Sequence, residues 1–150
     1  MPNPRFVTTP ARSALMSRIR SKDTKPEMLV RRALHRLGFR FRLHVRTLPG
    51  CPDIVLPKHH AIIQIKGCFW HGHDCPLFKW PNTRMKFWRN KIEGNQQHDQ
   101  KVIDALYKLN WRVATVWECS MKGRHSIGND LLVKSLTKWI RSKNSSLELK

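Results

Sequence analysis

The sequence predicts an α/β fold: a mixed central sheet, made of a three-strand antiparallel meander plus a parallel strand, flanked by helices. Three observations predict it. Runs rich in Val, Ile, Leu and Phe recur at 39–45, 53–56, 61–66 and 111–118, each of strand length. Segments of helical pattern flank or separate them, at 25–37, 83–109 and 131–140. The first three strands are consecutive, as a meander needs, whereas the fourth follows a helical crossover and can return parallel.

Each element has its own signal. Thr24 can cap a helix, Pro26 suits the first turn, and Glu27 completes a capping box. Met28, Val30, Ala33, Leu34 and Leu37 supply the apolar face, and Gly38 ends the helix. Phe39, Phe41, Leu43 and Val45 alternate with Arg40, Arg42 and His44, the pattern of a half-buried strand with a basic outer face. LPGCP is a turn, and PKHH joins the second strand to the third. The long helical segment is expected to break near Gly94. The strand at 111–118 is rich in β-formers, and the closing helix follows a cap at Asn129 or Asp130. Three prolines in the first dozen residues read as an arm, and SKNSSLELK reads as a frayed tail. The expected division is an arm at 1–22, one domain at 23–141 and a flexible tail at 142–150.

At 150 residues and 40% hydrophobic content, the chain can bury a core. Its charge is the stronger constraint. There are 29 Lys and Arg against 10 Asp and Glu, a formal net charge of +19. That excess repels itself in a compact state and points to a polyanionic partner, nucleic acid before an acidic membrane. No stretch has the apolar length of a spanning helix, and MPNPRFVTTPARS lacks the apolar core of a secretory signal. A reducing compartment is therefore expected, in which the four cysteines serve as metal or catalytic thiols rather than disulfides.

The densest chemistry is GCFWHGHDC at 67–75. Cys68, His73 and Cys75 give C-x4-H-x-C, and a structural zinc site wants a fourth ligand. The other cysteines are Cys119, at the end of a strand in WEC, and Cys51, in a turn between two prolines. A closed site of three thiolates and an imidazole leaves no open position for water, so it would be structural.

A second pattern lies upstream. Pro52-Asp53 precedes a strand, and the next strand ends Gln64-Ile65-Lys66, the spacing of a PD-(D/E)xK nuclease with Gln in place of the second carboxylate. An aspartate at a sheet edge can bind Mg²⁺, which polarises a phosphate and activates water, while a nearby Lys or His handles the proton.

LPGCPDIVL, GCFWHGHDC, TRMKFWRNKI with Gly94, Asn95 and Asp99 following, and WRVATVWEC together closely resemble the very-short-patch-repair (Vsr-type) DNA mismatch endonucleases. The resemblance spans about residues 12–123 and implies a restriction-endonuclease-like fold with a structural zinc site. It gives Asp53 the role of catalytic metal ligand, Ile65 a backbone-carbonyl contact to Mg²⁺, His71 water activation, Asp99 the orientation of that histidine, and Glu27 a supporting acidic role. It makes Cys68, His73, Cys75 and Cys119 the zinc ligands. The QxK segment departs from the family pattern, so Lys66 is a second candidate for the role given to His71.

The resemblance also implies how DNA is read. Phe69, Trp70 and Trp88 match an aromatic wedge that enters the duplex beside the mismatch. Met16 and Ile19 match apolar side chains inserted from the minor groove by the arm, and Arg12, Arg18, Arg20 and Lys22 would bind phosphates. Implied further are a nick 5′ to the thymine of a T:G mismatch arising from deaminated 5-methylcytosine, a functional link to a cytosine-5 methyltransferase and to mismatch-repair proteins, a monomer, and a bacterial cytoplasmic or nucleoid setting. Two alternatives remain at this level: a restriction-like nuclease without mismatch preference, and a non-catalytic zinc-containing DNA-binding protein.

Overall fold

A computed structural model describes residues 23–150. Its element order is α1 (Lys25–Arg36), β1 (Arg42–Leu43), β2 (Ile54–Leu56), β3 (Ala61–Lys66), α2 (Met85–Lys108), β4 (Arg112–Trp117), α3 (Asn129–Arg141) and β5 (Ser146–Leu149). The sheet runs in sequence order, β1-β2-β3-β4-β5. β1, β2 and β3 pair antiparallel, whereas β3–β4 and β4–β5 pair parallel. The meander and the parallel fourth strand are those expected, with α2 as the crossover.

Both faces of the sheet are covered, which explains why β2 and β3 are almost continuously apolar. On one face, Val30 and Leu34 of α1 and Leu132, Leu136, Trp139 and Ile140 of α3 pack on Ile54, Leu56, Ala61, Ile63, Ala114 and Val116. On the other, Val102 and Leu106 of α2 pack on Val55, Ile62 and Val113. The alternation along each strand sorts the side chains between the two layers.

Four details differ from expectation. The basic strand at 39–45 shrinks to Arg42–Leu43, both exposed, because Phe39 turns into the α1–α3 core and His44 takes a φ of 48° that bends the chain. Gly94 does not break α2, which runs unbroken for 24 residues, anchored by buried Ile92, Val102 and Leu106. α3 is preceded by Gly128 with no side-chain cap, so Asn129 and Asp130 begin the helix rather than cap it. The C-terminal segment, expected to fray, forms β5: Leu147 packs on the core and Leu149 is buried in it, while Val113 to Val116 supply the backbone partners.

Arg112 ties this end of the molecule together. Its guanidinium donates to the carbonyls of His59, Trp139, Ile140 and Asn144 and lies 4.8 Å from the Trp139 ring centroid. Carbonyls left open at the end of α3 are thereby satisfied. The α1 start is as predicted at Thr24, whose hydroxyl accepts from Glu27 N–H at 3.4 Å, but Glu27 reaches one residue further back, to Asp23 N–H at 3.0 Å.

Candidate active site and metal centre

The fold brings β2, β3 and the start of α1 to one cavity of about 980 Å³. Asp53, Ile65, Lys66, Trp70, His71 and Glu27 all line it. Asp53 stands just before β2, and its Oδ2 accepts from Ile65 N–H at 2.8 Å, which fixes the carboxylate across the antiparallel pair. Burial pushes the Asp53 carboxyl up to about 6; the Ile65 hydrogen bond opposes that rise, Glu27 adds to it, and His44 and Arg31 oppose it. A carboxyl so raised is one that a bound cation would relieve. Gln64, at the second-carboxylate position of the motif, is buried, does not line the cavity, and has no protein partner for Oε1.

His71 turns Nδ1 to Asp99 Oδ2 at 2.5 Å, and Lys66 Nζ approaches the same oxygen at 3.4 Å. Burial works to raise the Asp99 carboxyl, but the His71 hydrogen bond and the charges of His71 and Lys66 outweigh it and hold it below the usual range. Asp99 comes from α2, and so do two amides that pin the intervening loop. Asn95 Nδ2 donates to Trp70 O at 2.7 Å, and Gln96 Nε2 donates to His71 O at 3.0 Å. Gly72 makes this close approach possible: with φ at +58°, an added Cβ would lie 2.6 Å from Ile92 Cγ2 and 2.7 Å from Gln96 Nε2.

The metal-type donors meet beside this loop. The ligand atoms of Cys68, His73, Cys75 and Cys119 all lie within 4.8 Å of one another. Cys51 is exposed and outside this group, so the geometry brings Cys119, rather than Cys51, to the other three donors. Burial raises the Cys68 and Cys119 thiols, and burial lowers His73, so its neutral, ligating form is favoured. Three crowded thiols and one neutral imidazole fit a soft, tetrahedral divalent ion, whose charge would offset the cost of three thiolates. The His73 ring stacks on Trp117 at 4.0 Å, which ties the centre to β4.

Phe69, Trp70 and Trp88 form one aromatic cluster, with centroid separations of 5.2, 5.3 and 6.0 Å. It extends through Phe78 to Trp80, which is 41% exposed, and through Phe87, which is 45% exposed. Sequence reading did not single out Trp80 and Phe87 as part of this surface, nor Lys91, Asn95 and Glu118 as cavity-lining residues. The four-residue step from Asn95 to Asp99 on one helix face was the available signal. Met16, Ile19, Arg12 and Arg18 lie outside the described residues.

A mixed sheet covered by helices, with a half-buried aspartate and a histidine–aspartate pair at one end of its central strands, defines a restriction-endonuclease-like protein. Comparisons with known proteins narrow that class. The profile of the family described as DNA mismatch endonuclease Vsr matches residues 6–77. The chain is 39% identical over 138 residues to DNA mismatch endonuclease Vsr of Escherichia coli, spanning 92% of this chain and 88% of that protein. It is 48% identical over 110 residues to the type II nicking enzyme V.XorIIP of Xanthomonas oryzae, spanning 73% and 81%. It is also 44% identical over 119 residues to V.NmeAIP of Neisseria meningitidis, spanning 79% and 85%. The chain belongs to the Vsr family of DNA endonucleases. No helix among the described residues is long and apolar enough to cross a membrane.

Proposed function

We propose that this protein nicks duplex DNA 5′ to the thymine of a T:G mismatch, of the kind left by deamination of 5-methylcytosine, and so starts very-short-patch repair. The observation that carries this reading is the placement of Asp53, Lys66 and His71 in one cavity whose wall includes Trp70, a member of the aromatic cluster.

Asp53 and the Ile65 carbonyl would hold Mg²⁺, which supplies positive charge to the scissile phosphate and acidifies water. Asp99 on Nδ1 leaves Nε2 of His71 to accept the proton of the attacking water. Lys66, buried beside Asp99, places a cation where charge develops on the phosphate and is the second candidate for the proton-handling role. The water oxygen forms the new bond to phosphorus, the bond to the 3′ oxygen breaks, and a 5′ phosphate and a 3′ hydroxyl result. Glu27 supports the site from α1. Cys68, His73, Cys75 and Cys119 would hold a structural Zn²⁺ that fixes the loop bearing Phe69, Trp70 and His71.

Phe69, Trp70 and Trp88 would enter the duplex beside the mismatch, where weakened pairing lowers the cost of unstacking. Met16 and Ile19 would enter from the opposite groove, with Arg12 and Arg18 on phosphates. The protein would act as a monomer in a bacterial cytoplasm, alongside a cytosine-5 methyltransferase and mismatch-repair proteins. Mapping of the products tests the chemistry. With Mg²⁺, a T:G duplex should give one break, 5′ to the mismatched thymine, carrying a 5′ phosphate. A 3′ phosphate at the break, or a rate unaffected by withholding divalent ions, would contradict the proposed mechanism.

A further inference from the structure

Among the described residues there is a second group of metal-type donors, separate from the cysteines. Asp23, Glu27 and His44 bring their donor atoms within 4.8 Å of one another. A cation already stands among them, and it belongs to the chain. Arg31 Nη2 lies 2.5 Å from Asp23 Oδ1, 3.0 Å from Glu27 Oε2 and 3.0 Å from His44 Nε2. The Arg31 and Glu27 side chains are only 11% and 4% exposed. Two carboxylates and an imidazole converging on one guanidinium nitrogen, with Asp23 at the exposed rim, resemble the environment of an ion more than a surface pair, in which two long side chains meet in water.

This hub touches the active site at several points. Asp23, Glu27 and Asp53 line the same cavity. His44 N–H donates to the Asp53 carbonyl at 3.3 Å, so the residue that holds Arg31 by its ring holds Asp53 by its backbone. Glu27 would add a second negative charge close to Asp53 if nothing answered it. A guanidinium is suited to that place. It does not deprotonate or dissociate, and its fan of donors can serve several acceptors at once.

We propose that Arg31 is a built-in cation: its guanidinium fills a latent divalent-metal site made by Asp23, Glu27 and His44, and by holding these groups it positions Asp53. The exchangeable ion is thereby confined to Asp53, and Glu27 stays in place as a neutralised neighbour. Arg31 is a positioning residue, since it acts through Glu27 and His44. A simple i,i+4 helix pair would predict no gain of ion binding when the Arg31 guanidinium is removed.

Manganese alone, with zinc-loaded full-length protein and no DNA, tests this by equilibrium dialysis and electron paramagnetic resonance. Arg31→Met should bind one Mn²⁺ more per chain than wild type. Arg31→Lys, which keeps a cation, should gain none, and Arg31→Met with Glu27→Gln should return to the wild-type number. Where Arg31→Met is unstable, its Tm should climb more steeply with Mn²⁺ than that of wild type, which binds one ion fewer. An equal ion count in wild type and folded Arg31→Met overturns the proposal, and so does an Arg31→Met chain that stays unfolded at every Mn²⁺ concentration. The bearing on catalysis rests on the nickase reading. There, Arg31→Met should lower the nicking rate at saturating T:G duplex about tenfold or more without a matching loss of DNA affinity. Wild type that fails to nick would sink that reading, while the ion count would still decide this one.

Discussion

Asp53 works against the stability of the chain that carries it. Its folded pKa of about 6 lies above the ordinary 3.8, so the folded state binds more protons than the unfolded state between those values. Stability therefore falls as pH rises through that window, and the cost is fully present above about pH 6. Asp53→Asn should add about 2–3 kcal/mol at pH 8 without magnesium, nothing below pH 3.8, and should abolish nicking. Urea unfolding at both pH values reads the first two outcomes. Asp99→Asn should lower the nicking rate by roughly 10²–10⁴-fold, because an amide no longer fixes the His71 tautomer. An unchanged rate would move the proton-handling role to Lys66. At this scale the PD motif singled out Asp53, and the family resemblance singled out His71 and Asp99. Arg31 was not legible, because four residues after a glutamate it looks like an ordinary surface pair. Only the bend at His44, with its φ of 48°, brings the third partner to it.

The elements show where local signals lose to packing. Gly94 suggested a break, yet a glycine costs a helix only about 1 kcal/mol, and three buried residues of α2 outweigh that. Beyond its chain neighbours and its own helix backbone, no atom lies within 4 Å of where a Cβ at Gly94 would stand, so Gly94→Ala should stabilise by about 0.4–1 kcal/mol, measurable as a raised denaturation midpoint. β5 was missed for the opposite reason. Ser146-Leu147-Glu148-Leu149 alternates as a strand should, but it is short and sits in a polar, terminal context. What decides it is the open edge of β4, which the sequence does not display. Leu149→Ala should cost about 2–3 kcal/mol, and a change under 0.5 kcal/mol would show that β5 does not hold that edge. The strand order was legible further in, because Pro, Gly and His turns bound β2 and β3 on both sides.

Over the whole molecule, charge sets the behaviour toward DNA. A formal charge of +19 predicts that binding to fully paired DNA weakens steeply with salt, with a slope that counts the phosphates neutralised. The uncharged rings of Phe69, Trp70 and Trp88 neutralise no phosphate and contribute little to that slope. Trp70→Ala should therefore lower nicking of mismatched duplex more than it lowers nonspecific binding, and equal losses would count against insertion of the ring. Charge and composition made the nucleic-acid partner legible, and the GCFWHGHDC segment already joined Phe69, Trp70 and His71 to the metal-type donors; what the fold adds is the pinning of that loop by Asn95 and Gln96 of α2. The most direct measurement compares two labelled duplexes that differ only in T:G against C:G within a methyltransferase site, with Mg²⁺ and an Asp53→Ala control. A nick confined to the T:G duplex and absent in the control is the predicted result. Equal cutting of both duplexes, or selective binding with no cutting of either, would contradict a mismatch-directed nickase.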